Sequence, residues 1–205
     1  MFVKVCGVRT PGDVAAAVEA GADAIGFVLT ESARRLDPAE ARELAAAVPP
    51  EILTVAVTAG VPAAEAGRLA LAAGVRALQL HGDYPREAFD ELAGLPLRLL
   101  RATALTPGTD LAVGAYGEEF LLLDAPVAGS GARWDLSLLD GHRPTGPWLL
   151  AGGLTPDNVA AAVAAAEPWG VDVSSGVESS RGVKDHARIH AFVAAARSAE
   201  QPARH

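Results

Sequence analysis

Short apolar runs alternate along the chain with longer Ala-rich segments, in which apolar residues recur at helical spacing. The apolar runs predict strands at Phe2–Cys6, Ala24–Val28, Leu53–Val57, Ala77–Leu80, Leu97–Arg101, Phe120–Leu123, Trp148–Ala151 and Val171–Val173. The segments between them predict helices near Gly12–Glu19, Ala39–Ala47, Ala63–Ala73, Pro85–Ala93, Pro156–Ala166 and Asp185–Arg197. The connections after the fifth and sixth strands are less clearly helical.

This alternation of strands and helices predicts a parallel sheet. At Gly21, Gly74 and Gly170 a glycine separates a helix from the next strand, as expected where a helix ends in a left-handed residue. About eight βα units of minimal length fit the chain, although an open doubly wound sheet alternates in the same way. No linker divides the sequence, so we predict one domain over residues 1–205, with a frayed tail from 198 to 205.

Composition and charge narrow the class of protein. The chain has 205 residues, of which 50% are hydrophobic and 20% charged, enough for one sizeable core but too few residues for two full domains. A formal net charge of -8 disfavours binding to nucleic acid or to an anionic membrane. The single cysteine cannot form an internal disulfide, and no apolar run reaches the roughly 18 residues of a membrane span. We therefore expect a cytoplasmic protein with a small-molecule partner.

Two turns rich in small residues follow the last two predicted strands. The first turn leads into a helix start, for which Thr155 is the predicted N-cap and Pro156 the first helical residue. Backbone N–H groups in such turns can approach an anion closely, and barrels commonly bind phosphate with the loops after strands seven and eight. Either turn alone is typical of ordinary tight-turn chemistry, but the pair predicts a phosphate site. Its residues are Gly152, Gly153, Ser174, Ser175 and Gly176.

Reactive side chains stand where other predicted strands end, which is where such barrels carry their catalytic groups. Cys6 ends the first strand and shares a face with Lys4. A nearby cation would lower the pKa of the thiol, unless Lys4 pairs with Asp172 instead. Asp124 ends an apolar strand, where partial desolvation would favour a proton donor. The alternatives are a buried, unreactive cysteine and a solvated loop carboxylate.

Further polar residues follow the second, fourth and sixth strands. Arg34 and Arg35 are candidate clamps for an anion. His81 is a candidate for titration or substrate binding, and a structural hydrogen bond is the equal alternative. Gly129–Gly131 is either a closing lid or a simple turn.

Several of these motifs resemble those of the phosphoribosylanthranilate isomerases. They are Lys4–Val8, Gly21–Val28, Gln79–Gly82, Leu122–Asp124, Gly129–Gly131, Ala151–Val159 and Asp172–Glu178. The motifs occur in the expected order over nearly the whole chain, and the first and last of them are specific to that family. The sequence departs from the family pattern at Thr30-Glu31, Arg35, Ala56, Arg101 and Ala132–Leu136.

The resemblance implies a single (β/α)₈ TIM barrel with parallel strands and an Amadori rearrangement in tryptophan biosynthesis that uses no cofactor and no metal. The substrate would be N-(5-phosphoribosyl)anthranilate and the product 1-(2-carboxyphenylamino)-1-deoxyribulose 5-phosphate. The resemblance implies that Cys6 is the general base and Asp124 the general acid. The expected substrate-binding residues are Arg34, His81, Gly152, Gly153, Asp172, Ser174, Ser175 and Gly176.

The sequence is also compatible with two other functions. One is a dual-specificity barrel isomerase that also accepts the histidine-pathway aminoaldose, but such enzymes use two aspartates, whereas Cys6 stands on the first strand here. The other is a barrel that binds a sugar phosphate without catalysis, which the presence of both Cys6 and Asp124 disfavours. We expect a monomer rather than a homodimer.

Overall fold

The computed structural model describes residues 1–124, 136–139, 141 and 143–199. Eight parallel strands form a closed barrel in chain order, and the eighth strand pairs with the first. The strands are β1 (Phe2–Cys6), β2 (Ala24–Val28), β3 (Leu53–Thr58), β4 (Ala77–His81), β5 (Arg98–Ala104), β6 (Phe120–Asp124), β7 (Trp148–Leu150) and β8 (Gly170–Val173). The predicted barrel is thereby confirmed, and the open doubly wound alternative is wrong.

Helices connect most of the strands. They are α1 (Pro11–Ala20), α2 (Pro38–Ala46), α3 (Ala63–Ala72), α4 (Arg86–Asp90), α5 (Val159–Ala166) and α6 (His186–Ser198). Sequence signals explain several of their starts: Thr10 and Asp37 form capping boxes before α1 and α2, and the Asp185 side chain accepts a hydrogen bond from Arg188 N at α6. Among the described residues, no helix is long and apolar enough to cross a membrane.

The prediction that Thr155 caps a helix starting at Pro156 is wrong. The helix α5 starts at Val159, because the Asn158 side chain folds back and accepts a hydrogen bond from Thr155 N at 2.8 Å. Residues between Thr155 and Asn158 form a turn instead. The same side chain donates to the Gly153 carbonyl at 2.9 Å, so it stabilises the loop after β7.

A buried arginine stabilises the long connection between β5 and β6. Its described residues 105–119 contain no helix. Arg101 donates to Glu118 Oε1 at 2.8 Å and to the carbonyl oxygens of Asp110 and Ala112. Its guanidinium also lies over the Tyr116 ring, 4.4 Å from the centroid. The connection is thus organised by the side-chain hydrogen bonds of Arg101.

Alternation along the strands separates two layers of packing. Val3 and Val5 of β1 pack outward against the helices, whereas Cys6 joins the cluster inside the barrel. After β8, a 3₁₀ helix (Ser175–Val177) leads into a hairpin of β9 (Glu178–Ser180) and β10 (Val183–Lys184). This hairpin was not predicted, because its strands are too short to show an alternating pattern. The candidate lid Gly129–Gly131 and the tail beyond residue 199 lie outside the described residues.

Candidate active site

A cavity of ≈ 300 Å³ opens at the carboxyl ends of the barrel strands. Ten of the residues that the sequence suggests for the site line it: Cys6, Arg34, His81, Asp124, Gly152, Gly153, Asp172, Ser174, Ser175 and Gly176. A larger cavity of ≈ 580 Å³ lies at the opposite end, beside Phe2 and Trp169, and contains none of these residues. The cavity at the carboxyl ends is therefore the candidate active site.

Cys6 lies at the floor of this cavity with 7% of its surface exposed. Space for its sulfur depends on Gly26 of the neighbouring strand, because a Cβ there would lie 3.0 Å from Cys6 Sγ and 3.2 Å from Lys4 Nζ. Burial raises the pKa of the Cys6 thiol, and the opposing effects of Lys4 and Lys184 are smaller. Of the two alternatives that the sequence left open for Lys4, acidifying Cys6 or pairing with Asp172, the structure shows the pairing.

The positive charge of Lys4 is paired with a carboxylate on the neighbouring strand. Lys4 Nζ donates to Asp172 Oδ1 at 2.7 Å across the β1–β8 seam, and the lysine side chain is fully buried. Burial lowers the pKa of Lys4, but the charges of Asp172 and Cys6 outweigh that effect and leave the pKa raised. Asp172 lines the cavity, as expected for a substrate-binding residue, but one of its oxygens is bonded to this lysine.

Asp124 ends β6, which lies three strands away from β1 around the barrel. His81 Nε2 lies 3.7 Å from Asp124 Oδ2, and Gln79 Nε2 lies 3.3 Å from His81 Nδ1. The His81 ring therefore lies between the amide of Gln79 and the carboxyl group of Asp124, with one ring nitrogen facing each of them. Gln79 itself is 2% exposed, and its Oε1 has no hydrogen-bond partner among the described residues.

Arg34 extends from the loop after β2 and is fixed by a carboxylate. Its Nε donates to Glu178 Oε1 at 2.6 Å and its Nη2 to Glu178 Oε2 at 2.9 Å. Burial alone would raise the pKa of Glu178, but hydrogen bonds from Arg34, Gly182 N and Lys184 lower it to about 2. Arg35, the other candidate clamp, is exposed, lies near Asp37 and does not line the cavity. The expectation for Arg35 is therefore wrong.

The two predicted phosphate loops pack directly against each other. Gly152 and Gly153 both adopt positive φ, at 87° and 67°, which a residue with a Cβ rarely tolerates. A Cβ on Gly176 would lie 1.8 Å from the Leu154 carbonyl oxygen, so only glycine fits there. These close approaches bring the loops after β7 and β8 together on one side of the cavity.

Two charged residues of the site region were missed by the sequence analysis. Glu178 ends the Asp172–Glu178 motif, so its position in that motif was a signal, but nothing in the sequence indicated its contact with Arg34. Lys184 lies in a two-residue strand and carries no sequence signal at all. Among the described residues, no three His, Cys, Asp or Glu side chains are grouped so that they could hold a metal ion.

Comparisons with known proteins agree with this geometry. A relative from Symbiobacterium thermophilum, named N-(5'-phosphoribosyl)anthranilate isomerase, is 43% identical over 96% of this chain and 98% of its own length. The structure of TrpF from Jonesia denitrificans superposes with a TM-score of 0.89 at 55% identity, covering 97% of this chain and 98% of that one.

Two further structures bear on ligand and assembly. One is phosphoribosyl anthranilate isomerase in complex with reduced 1-(o-carboxyphenylamino)-1-deoxyribulose 5-phosphate, with a TM-score of 0.80, 32% identity and coverage of 97% and 99%. Another, at 31% identity with the same TM-score and coverage, shows monomers generated from the dimeric enzyme of Thermotoga maritima. A sequence model of the family described as N-(5'phosphoribosyl)anthranilate (PRA) isomerase matches residues 3–195. With nearly the whole chain matched, this protein belongs to the phosphoribosylanthranilate isomerase family.

Proposed function

We propose that the chain isomerises N-(5'-phosphoribosyl)anthranilate, an intramolecular aldose–ketose conversion in tryptophan biosynthesis. The observation that carries this proposal is that a thiol, a carboxyl group, an arginine and two glycine-containing loops all line the same cavity. The ligand held by one relative carries a carboxyphenyl group at one end and a phosphate at the other. A cavity with two separate anion-binding regions suits such a molecule.

The two anionic ends of the substrate are assigned to different regions. The phosphate lies against the loops Gly152–Gly153 and Ser174–Gly176, where backbone N–H groups serve as neutral donors. Arg34 binds the anthranilate carboxylate, because it is the only lysine or arginine among the described residues that line the cavity. This assignment places the ribose between the two regions, beside Cys6 and Asp124.

One acid and one base then complete the rearrangement. Asp124 protonates the furanose ring oxygen, and the anthranilate nitrogen donates its electron pair, so that the ring opens to an iminium ion. Cys6, as thiolate, removes the proton from C2 and gives an enolamine, which tautomerises to the ketone. The substrate nitrogen supplies the electrons, so the scheme needs no cofactor and no metal.

Gln79 and His81 support the acid in this scheme. His81 presents its Nε2 to Asp124 at 3.7 Å, and Gln79 fixes the ring from the other side. The unsatisfied Oε1 of buried Gln79 is a hydrogen-bond acceptor suited to a ribose hydroxyl. We therefore assign both residues to the sugar region of the cavity.

We also propose one domain for the whole chain and a cytoplasmic location. The first helix packs against the last one, and the same core includes residues from β1 to α6. A general base that is a thiol must stay reduced, which a reducing compartment favours.

The direct experiment follows the fluorescence of phosphoribosylanthranilate with the purified protein. The proposal predicts enzyme-dependent loss of substrate and formation of the ketose phosphate, and little turnover of the histidine-pathway aminoaldose. No loss of substrate would overturn the proposed function. Comparable turnover of both substrates would replace it with the dual-specificity alternative.

A further inference from the structure

Glu178 is a buried carboxylate that the proposed catalytic scheme does not use. Its side chain is 5% exposed and accepts hydrogen bonds from four donors. They are Arg34 Nε, Arg34 Nη2, Lys184 Nζ and Gly182 N, at 2.6, 2.9, 3.0 and 3.0 Å. A buried charge is costly unless it is paired, and here one carboxylate is paired with two cations.

The contact with Arg34 fixes the direction in which the guanidinium points. Two parallel hydrogen bonds occupy the edge formed by Nε and Nη2 and hold the plane of the group. The Nη1 edge stays available, and Arg34 lines the cavity while Glu178 does not. A long arginine side chain that is ordered in advance loses less conformational entropy when it binds an anion.

Lys184 connects the same carboxylate to the predicted phosphate region. Its Nζ donates to the Ser174 carbonyl at 2.9 Å and lies 3.4 Å from Ser174 Oγ, as well as bonding to Glu178. The side chain is fully buried and does not line the cavity. Lys184 therefore links the support of Arg34 to the start of the loop after β8.

The β9–β10 hairpin also packs directly against the loop that carries Arg34. A Cβ on Gly182 would lie 2.7 Å from the Ala33 carbonyl oxygen, so the two backbones touch directly. Arg9 Nη1 spans the same contact, at 3.3 Å from the Ala33 oxygen and 3.4 Å from the Gly182 oxygen.

We propose that Glu178 is a positioning residue that, with Lys184 and the β9–β10 hairpin, sets the orientation of Arg34 towards the substrate carboxylate at a fixed separation from the phosphate loop. This inference rests on the proposed function, because it assigns the carboxylate end of the substrate to Arg34. Glu178 acts through Arg34 and does not touch the substrate.

A double-mutant cycle tests the inference with Glu178→Gln, Arg34→Met and the combined variant. Glu178→Gln alone is expected to raise KM at least about tenfold and to change kcat less than about threefold, because Cys6 and Asp124 are untouched. In the Arg34→Met background the same substitution is expected to cost less than about threefold in kcat/KM. The inference would be overturned if Glu178→Gln lowered kcat/KM equally in both backgrounds. It would also be overturned if Glu178→Gln alone left KM unchanged or lowered only kcat.

Glycine variants test the positioning role without changing any charge. Gly182→Ala pushes against Ala33 and is expected to raise KM with little change in kcat. Its matched control is Gly21→Ala, because Gly21 has nearly the same φ, 83° against 82°, and open space around it. Equal KM values for the two variants would contradict the positioning role, and so would a KM of Gly182→Ala equal to that of the unsubstituted chain.

Kinetics of the unsubstituted chain distinguish a failure of the proposed function from a failure of the positioning role of Glu178. If it fails to consume phosphoribosylanthranilate, the proposed function fails. If it turns over substrate while Glu178→Gln and Gly182→Ala leave KM unchanged, only the positioning inference fails. Glu119→Gln, which removes the carboxylate of the exposed Arg98–Glu119 ion pair, is the charge-matched control and is expected to leave both kinetic constants unchanged.

Discussion

The protonation state of Cys6 depends on two opposing effects inside the barrel. Burial favours the neutral thiol, and the charge of Lys4 favours the thiolate but is offset by Asp172. Cysteine at the end of β1 was predictable from the sequence, and its lining of the cavity follows from alternation along the strand. The net direction of its pKa was not, because it depends first on how completely the folded barrel buries the thiol.

The first prediction concerns pH. Because the base must lose its proton and burial raises the pKa of Cys6, kcat/KM is expected to fall on the acid side and to go on rising with pH up to and beyond about 8.5, the ordinary pKa of a thiol. The negative charge of Asp172 contributes to the raised pKa, so Asp172→Asn is expected to move this ascending limb to lower pH. Stopped-flow fluorescence over that range measures the limb. A pH-independent profile, or a shift to higher pH in the variant, would contradict this account of the thiol.

At the scale of elements, glycines fix the positions of the loops at the carboxyl end of the barrel. The strands were predicted to within a few residues, because each is an apolar run between polar connections. The start of α5 and the β9–β10 hairpin were not, since they depend on the Asn158 side chain and on a pairing of only a few residues. Glu178 and Lys184 were missed for the same reason: their roles come from contacts that no local pattern encodes.

Gly176→Ala tests the packing of the two phosphate loops. The added methyl group would overlap the Leu154 carbonyl oxygen, so the loops must separate. We expect inorganic phosphate to inhibit the variant at least about tenfold less tightly and the melting temperature to fall. Gly94→Ala is the matched control, because a Cβ there meets nothing within 4 Å. Phosphate inhibition equal in the two variants would show that this contact does not form the phosphate site.

Glu178 also makes the hairpin region sensitive to acid. Its pKa is about 2 in the folded chain, against about 4.3 in an unfolded one, so its ionised form stabilises the fold by about 3 kcal/mol at neutral pH. Since the folded pKa is depressed, this contribution is present above pH ~4 and is lost as pH falls towards 2. Urea unfolding of the unsubstituted chain and Glu178→Gln should therefore converge in acid. A constant difference in the free energy of unfolding would contradict the linkage.

On the scale of the whole molecule, the barrel closes its own edges and buries its apolar residues in two layers. The large hydrophobic residues left exposed in the described part of the chain are Leu71, Trp169 and Val183. They belong to α3, to the segment before β8 and to β10, so they are scattered along the chain. Scattered single residues of this kind are ordinary surface features.

We therefore expect a monomer, although a relative from Thermotoga maritima is dimeric. Sedimentation velocity at about 10 μM, a concentration at which stable interfaces of standard size are occupied, should give a single species of monomer mass. A concentration-independent dimer would contradict this expectation. Trp169→Ser would then show whether the exposed tryptophan lies in the interface.

The central claim is that a thiol and a carboxyl group in one cavity act as base and acid on the same sugar. Its most direct test is the kcat/KM of Cys6→Ala and Asp124→Asn, with exposed Asp90→Asn as the control and circular dichroism as the check on folding. The account predicts that each site variant loses at least about a thousandfold while the control keeps its activity. Near-normal turnover by a folded Cys6→Ala or Asp124→Asn protein would contradict it.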